Sequence, residues 1–203
     1  MKLYYMPGAC PLATHIVLQW TATPCEGVKL SHDDLKKDAF LRVNLLGAVP
    51  ALEVDGTVLT QNAGILNYLA RIAPEAKLLG DGTPRGEAEA QRWLGFVNSD
   101  IHPAFKPLFG ATAYLGDAAM IEKSKANARE RLRSLFGIVD AQLKGRDWIA
   151  GSRSIADAYL FVMLRWAQGN GIDLSGLAEI ARYYARMQKD AGVVGALKAE
   201  GLS

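Results

Sequence analysis

Asp55-Gly56 lies between Ala51-Leu52-Glu53-Val54 and Thr57-Val58-Leu59, and this short stretch limits the fold more tightly than any other. An Asp-Gly pair accepts the positive φ angles of a two-residue hairpin turn, and the apolar-rich runs on either side specify two antiparallel strands. The segments upstream alternate in type. Lys2 to Met6 reads as a strand, Pro7-Gly8 as a turn, and Pro11 as the first residue of a helix reaching about Thr21. Leu12, Ile16 and Trp20 recur along that helix at four-residue spacing. Thr23-Pro24 and Gly27 end it, Val28 to Leu30 forms a second strand, and a polar helix is predicted from Asp33 to Val43. After the hairpin, Asn62 is a suitable N-cap for a helix through Ile65, Leu66 and Leu69 that stops before Pro74. The order is βαβαββα.

Turn-forming residues crowd together between positions 74 and 84, and the patterning then changes. From Arg85 onward no strand is predicted. Helical periodicity covers 86–109, 117–144, 154–169, 176–190 and 192–200, with Pro103 and Pro107 expected to kink or break the first of these. The expected organisation is an α/β domain over 1–78 followed by an all-helical domain over 86–203. With 50% hydrophobic and 22% charged residues the chain can bury a substantial core. A net charge of +2 without a basic stripe argues against nucleic acid as a partner. No apolar run has the length of a membrane span, so no membrane partner is expected. Two cysteines and no signal-like leader point to a cytoplasmic protein with reduced thiols. Three scattered histidines show no ligand spacing, so no metal is expected.

Two residues carry candidate chemistry. Cys10 precedes Pro11, which places it at a helix N-cap, in the positive end of the helix dipole. A thiol there is either an activated nucleophile or a small buried cap. His102, in Ser99-Asp100-Ile101-His102-Pro103, is either a proton-handling group or a residue of a helix surface. Ser154-Ile155-Ala156-Asp157 reads as a capping box with Asp in place of Glu, a folding signal. His15 and His32 read as capping or solvent-facing. Trp93, Phe96, Tyr114, Met163 and Trp166 either line an apolar cleft or fill the core.

Several segments together resemble a bacterial beta-class glutathione transferase. They are Met1-Lys2-Leu3-Tyr4-Tyr5 with Pro7-Gly8-Ala9-Cys10, Val49-Pro50, Leu59-Thr60-Gln61, Ser154 to Leu160, and Ala199-Glu200-Gly201-Leu202. They span nearly the whole chain in the right order. The resemblance implies a thioredoxin-like N-terminal domain, a helical C-terminal domain, a homodimer, and a cis peptide bond before Pro50. It implies glutathione as co-substrate: Val49 pairing with its backbone, Gln61 and Asn62 holding its γ-glutamyl end, and Ser99 and Asp100 approaching that end. Cys10 and His102 would tune its sulfur, and helical-domain residues would form a pocket for a small hydrophobic electrophile. The implied activity is conjugation. Thiol–disulfide exchange or peroxidase chemistry through Cys10, and non-catalytic ligand binding, are the alternatives. The sequence departs from the family pattern at Pro11, Gln61, Gly95 and Pro103. Pro11 removes an N–H and a hydroxyl from the helix start, so Cys10 is expected to be less acidic than in a typical member.

Overall fold

The computed structural model describes residues 1–202. Strands β1 (Lys2–Tyr5), β2 (Glu26–Lys29), β3 (Ala51–Val54) and β4 (Thr57–Thr60) form one sheet in the order β2-β1-β3-β4. β1 runs parallel to β2 and antiparallel to β3, and the β3–β4 hairpin turns at Asp55-Gly56, both with positive φ. Helix α1 (Leu12–Trp20) connects β1 to β2, α2 (Asp38–Leu41) lies between β2 and β3, and α3 (Asn62–Ile72) follows β4. Alternation along β1 turns Leu3 and Tyr5 into the core.

The remainder is helical: α4 (Pro84–Phe96), α5 (His102–Ala104), α6 (Ala118–Leu143), α7 (Ile155–Gly169), α8 (Ala178–Met187) and α9 (Ala191–Glu200). Helix α7 is buried without interruption from Ile155 to Leu164, the mark of a helix at the centre of a bundle. Helix α1 buries Leu12, Ala13, Thr14, Ile16, Val17 and Leu18 because it is covered on several sides, by α3, α7 and α9. It therefore joins the sheet to the bundle. The Pro/Gly-rich connection is also fixed in place. Ile155 N–H donates to Leu78 O at 3.0 Å, and Leu79 bridges to Ser154. Gly80 has φ +96, and a Cβ there would lie 2.4 Å from the Gly86 carbonyl carbon.

Four local expectations are corrected. The polar helix predicted over Asp33 to Val43 is a 3₁₀ turn (Asp34–Lys36) and one α-turn, separated by Lys37 at ψ 143. Ser31 N–H donates to Asp34 Oδ2 at 2.8 Å and Asp34 N–H to Ser31 Oγ at 3.2 Å, so the side chains capture the backbone locally. Only Phe40 is buried in α2, too little apolar surface to hold a longer helix. The helix predicted over 86–109 gives way after Phe96 to a π turn, Val97–Ile101. Pro103 lacks the N–H that would bond Ser99 O and crowds that carbonyl, so the turn before it widens. The first helix starts one residue later than predicted, with Pro11 as cap, and the third starts with Gln61, not Asn62, as cap.

Candidate functional site

The turn between β1 and α1 places Cys10 at the junction of sheet and bundle. Gly8, at φ +74, is held from both sides. Its N–H donates to Glu200 Oε2 of α9 at 2.7 Å, and its carbonyl accepts from Trp166 Nε1 of α7 at 2.7 Å. Cys10 is buried, and its thiol donates to the Val49 carbonyl at 3.6 Å. Burial pushes the Cys10 thiol up to about 12. The low acidity expected from Pro11 thus has another origin: the sulfur is removed from water, which disfavours the anion wherever donors lie.

Asn62 differs from its expected role. Although it begins α3, its side chain caps nothing: Nδ2 donates to Cys10 O at 3.0 Å and Oδ1 accepts from Thr14 Oγ1 at 2.9 Å. The buried amide fastens α3 to the Cys10 turn. Gln61 is exposed beside it in the left-handed region, φ +67, and no side chain caps the first N–H groups of α3. The Val49–Pro50 bond is cis. Ahead of it, Asn44 Nδ2 donates to Ala48 O at 2.6 Å and its Oδ1 accepts from Leu46 N–H at 3.1 Å, which shapes the approach to Val49.

These elements enclose a cleft of about 390 Å³. Cys10, Val49, Pro50, Gln61, Asn62 and His102 all border it. Ser99 and Asp100 do not. Ser99 is exposed and its hydroxyl donates to Gly95 O at 2.7 Å and to Asp100 Oδ2 at 3.0 Å.

Asn44, Asn98, Lys106 and Tyr159 also line the cleft and were not singled out from the sequence. Asn98, His102 and Lys106 recur every four residues, a stripe that helical spacing would have grouped had Pro103 not argued against a continuous helix. Tyr159 carries no local signal; it reaches the cleft because α7 passes beneath it.

His102 Nδ1 is hydrogen-bonded to the Tyr159 hydroxyl. Burial, with Lys106 adding to it, lowers His102 to about 4, so the imidazole is neutral at neutral pH. Burial also holds Tyr159 well above the usual phenol range. Among the described residues, Lys106 is then the one formal charge on the cleft wall. The walls offer a cation, amide donors and acceptors, a thiol and a neutral imidazole, a set suited to an extended, net-anionic ligand.

The other candidates separate cleanly. His15, expected to cap or to face solvent, instead pairs through Nδ1 with Glu200 Oε1 at 2.6 Å, and the two side chains are 12% and 0% exposed. His32 is exposed. Trp93 and Met163 belong to the core, and Tyr114 is 81% exposed. Trp166 meets the His102, Phe105 and Phe109 rings edge-on, forming an aromatic group beside the cleft. Asp157 is an internal cap as read: with Ser154 it completes the capping box of α7.

The comparisons agree with this architecture. Residues 1–71 match the model of the glutathione S-transferase N-terminal domain, and residues 98–190 match that of the C-terminal domain. Glutathione S-transferase GST-4.5 of Xanthomonas campestris pv. campestris is 54% identical over 204 residues, covering 100% of both chains. A solved glutathione S-transferase from Xylella fastidiosa superposes with a TM-score of 0.97 at 51% identity, covering 100% of this chain and 99% of that one. A sphingomonad glutathione S-transferase solved in complex with glutathione gives 0.87 at 38% identity, covering 100% of both. The chain belongs to the glutathione S-transferase family.

Proposed function

We propose that the cleft binds glutathione and that the protein transfers the glutathione thiolate to small hydrophobic electrophiles, as a cytoplasmic homodimer acting in detoxification. The observation that carries this reading is the convergence of Cys10, Val49, His102 and Tyr159 on one cleft that Lys106 makes cationic among the described residues. Glutathione carries a net negative charge and an extended peptide backbone. Lys106 and the uncapped first turn of α3 attract its carboxylates. The backbone at Val49 pairs with its cysteinyl unit, as a strand pairs with a sheet edge. Gln61 bonds its γ-glutamyl end, and Asn62 and Pro50 shape the floor, while Ser99 and Asp100 are not among the lining residues. The sphingomonad relative is a glutathione complex, which supports the same ligand here.

Conjugation is favoured over disulfide exchange by the state of Cys10. A buried thiol held to about 12 is protonated at neutral pH and is a poor nucleophile, while remaining a hydrogen-bond donor. Cys10 then supports the glutathione sulfur instead of attacking it. His102, lowered to about 4, is too weak a base to hold a proton at neutral pH. The glutathione thiol therefore loses its proton to solvent, and neutral donors stabilise the thiolate. Its lone pair forms the carbon–sulfur bond as the leaving group departs with its electron pair. The aromatic group around Trp166 offers the electrophile an apolar wall.

Calorimetric titration with glutathione, combined with a conjugation assay on a nitro-activated aryl halide, tests this. Cys10→Ala should retain most of the conjugation rate and lose disulfide exchange. Absence of binding at millimolar glutathione would overturn the proposal.

A further inference from the structure

Tyr159 is 1% exposed, lies on α7, and borders a cleft built mostly by other elements. That hydroxyl meets Nδ1 of His102, 57 residues away in sequence. A phenol has one proton to donate, and a neutral imidazole has one donor and one acceptor nitrogen, so the contact has two possible polarities. Either His102 Nδ1–H donates to the phenol oxygen, or the phenol donates to a bare Nδ1 and the imidazole proton resides on Nε2. The surroundings select between them. Among the described residues the buried Tyr159 hydroxyl has no hydrogen-bond partner besides His102 Nδ1, so its one proton finds its acceptor there. Among the described residues, Nε2 of His102 has no hydrogen-bond partner and is not sealed from solvent. It therefore reaches open space, and the open space bordering His102 is the cleft.

We infer that Tyr159 is a positioning residue: its buried hydroxyl donates to Nδ1 of His102, fixes the neutral imidazole with its proton on Nε2, and so aims an N–H donor at the sulfur of the bound thiol. This rests on the glutathione reading above. The remaining groups are consistent with it. Tyr159 sits far above the phenol range, so it keeps the proton it must donate. The titratable groups facing His102 are Lys106, Cys10 and Tyr159. Lys106 opposes a cationic imidazole, and Cys10 stays protonated, so neither drives His102 toward the imidazolium. The edge-on Tyr159 and Trp166 rings, with centroids 5.8 and 5.1 Å from the imidazole, restrain it from turning its other nitrogen to the cleft. The family pattern supplied a thiol and a histidine; this contact says which nitrogen carries the proton and what puts it there.

The first test is nitrogen NMR of ¹⁵N-histidine-labelled protein at neutral pH, with His102 assigned by comparison with His102→Gln. The expected pattern is an acceptor-type Nδ1 and a protonated Nε2. A protonated Nδ1 overturns the inference. The second test is Tyr159→Phe, which keeps the ring and removes only the hydroxyl. In this variant the absorbance titration of the enzyme-bound glutathione thiolate should shift upward by about one pH unit, and kcat at slightly acidic pH should fall about tenfold. KM for glutathione should stay within about twofold, since the peptide contacts remain. A purely packing role for Tyr159 would leave the thiol titration and the tautomer where they were. Glutathione bound with an unshifted thiol therefore overturns this inference alone. Failure of both proteins to bind glutathione overturns the transferase reading and this inference with it.

Discussion

Asp157 should be one of the most sensitive positions for stability, although it touches no part of the cleft. Its carboxylate is fully buried and accepts from Ile149 N–H at 3.0 Å, Ser154 N–H at 2.9 Å, Ser154 Oγ at 2.9 Å and Tyr183 Oη at 3.1 Å. Asp157→Ala removes every one of these acceptors. The Tyr183 hydroxyl keeps the Asp157 backbone carbonyl, also at 3.1 Å, and the Ser154 hydroxyl can rotate. The two backbone donors cannot follow, because Ile149 and Ser154 are both 0% exposed and water does not reach them. Each buried donor left unpaired costs about 1–3 kcal/mol, which gives a loss of roughly 4 kcal/mol for the pair. For a domain of this size that corresponds to a fall in Tm of about 8–16 °C. Urea unfolding followed by circular dichroism gives the free energy, and calorimetry gives Tm. Ser154→Ala should cost only about 1 kcal/mol, a cap's usual worth. The double variant should lose less than the sum, because both residues serve one network. A loss below about 1 kcal/mol in Asp157→Ala would refute the claim that these donors have no other partner.

Two further outcomes follow from the site. Glu200→Ala leaves the Gly8 N–H and His15 without their buried partner. It should destabilise the protein by about 3 kcal/mol and, because Gly8 leads into Cys10, weaken glutathione binding roughly tenfold by calorimetry; full retention of affinity would show that the clamp does not shape the cleft. His102 takes up its proton at about 4 in the folded chain against 6.5 for a free histidine. Between those values the unfolded state binds a proton that the folded state does not, so the His102 contribution to stability falls as pH drops, by roughly 3 kcal/mol at most. Asp157, raised by burial to about 6, acts in the opposite sense over the same window. The difference in urea midpoint between wild type and His102→Gln isolates the histidine: the variant should gain on the wild type as pH falls from 7 toward 4.5, and a constant difference would refute the burial of His102.

How much could be read in advance depends on the range of the force concerned. The β3–β4 hairpin was legible because an Asp-Gly turn and its flanking apolar runs are contiguous in sequence. The α7 start was legible for the same reason, since Ser154 and Asp157 complete their box within one turn. The Asp33 to Val43 segment misled because its residues tolerate a helix, while a helix also needs an apolar face to bury, and only Phe40 supplies one. Pro103 perturbs the helix without breaking it. The chain met it with a π turn that keeps the path continuous and brings Asn98, His102 and Lys106 to the same cleft.

The sequence by itself determined the strand–helix alternation, the change to an all-helical pattern, and the identity of Cys10, Val49, Pro50, Gln61, Asn62 and His102 as residues worth following, because periodicity, turn chemistry and family motifs are local properties. The tertiary structure alone decided what those residues do. Asn62 became a brace for the Cys10 turn instead of a helix cap, His15 became the buried partner of Glu200, and Cys10 became a protonated donor. Each of these outcomes depends on burial and on a partner 39 to 185 residues away. Desolvation and long-range hydrogen bonds arise only when the chain closes on itself, so a thiol, an amide or an imidazole acquires its chemistry after the fold has chosen its neighbours.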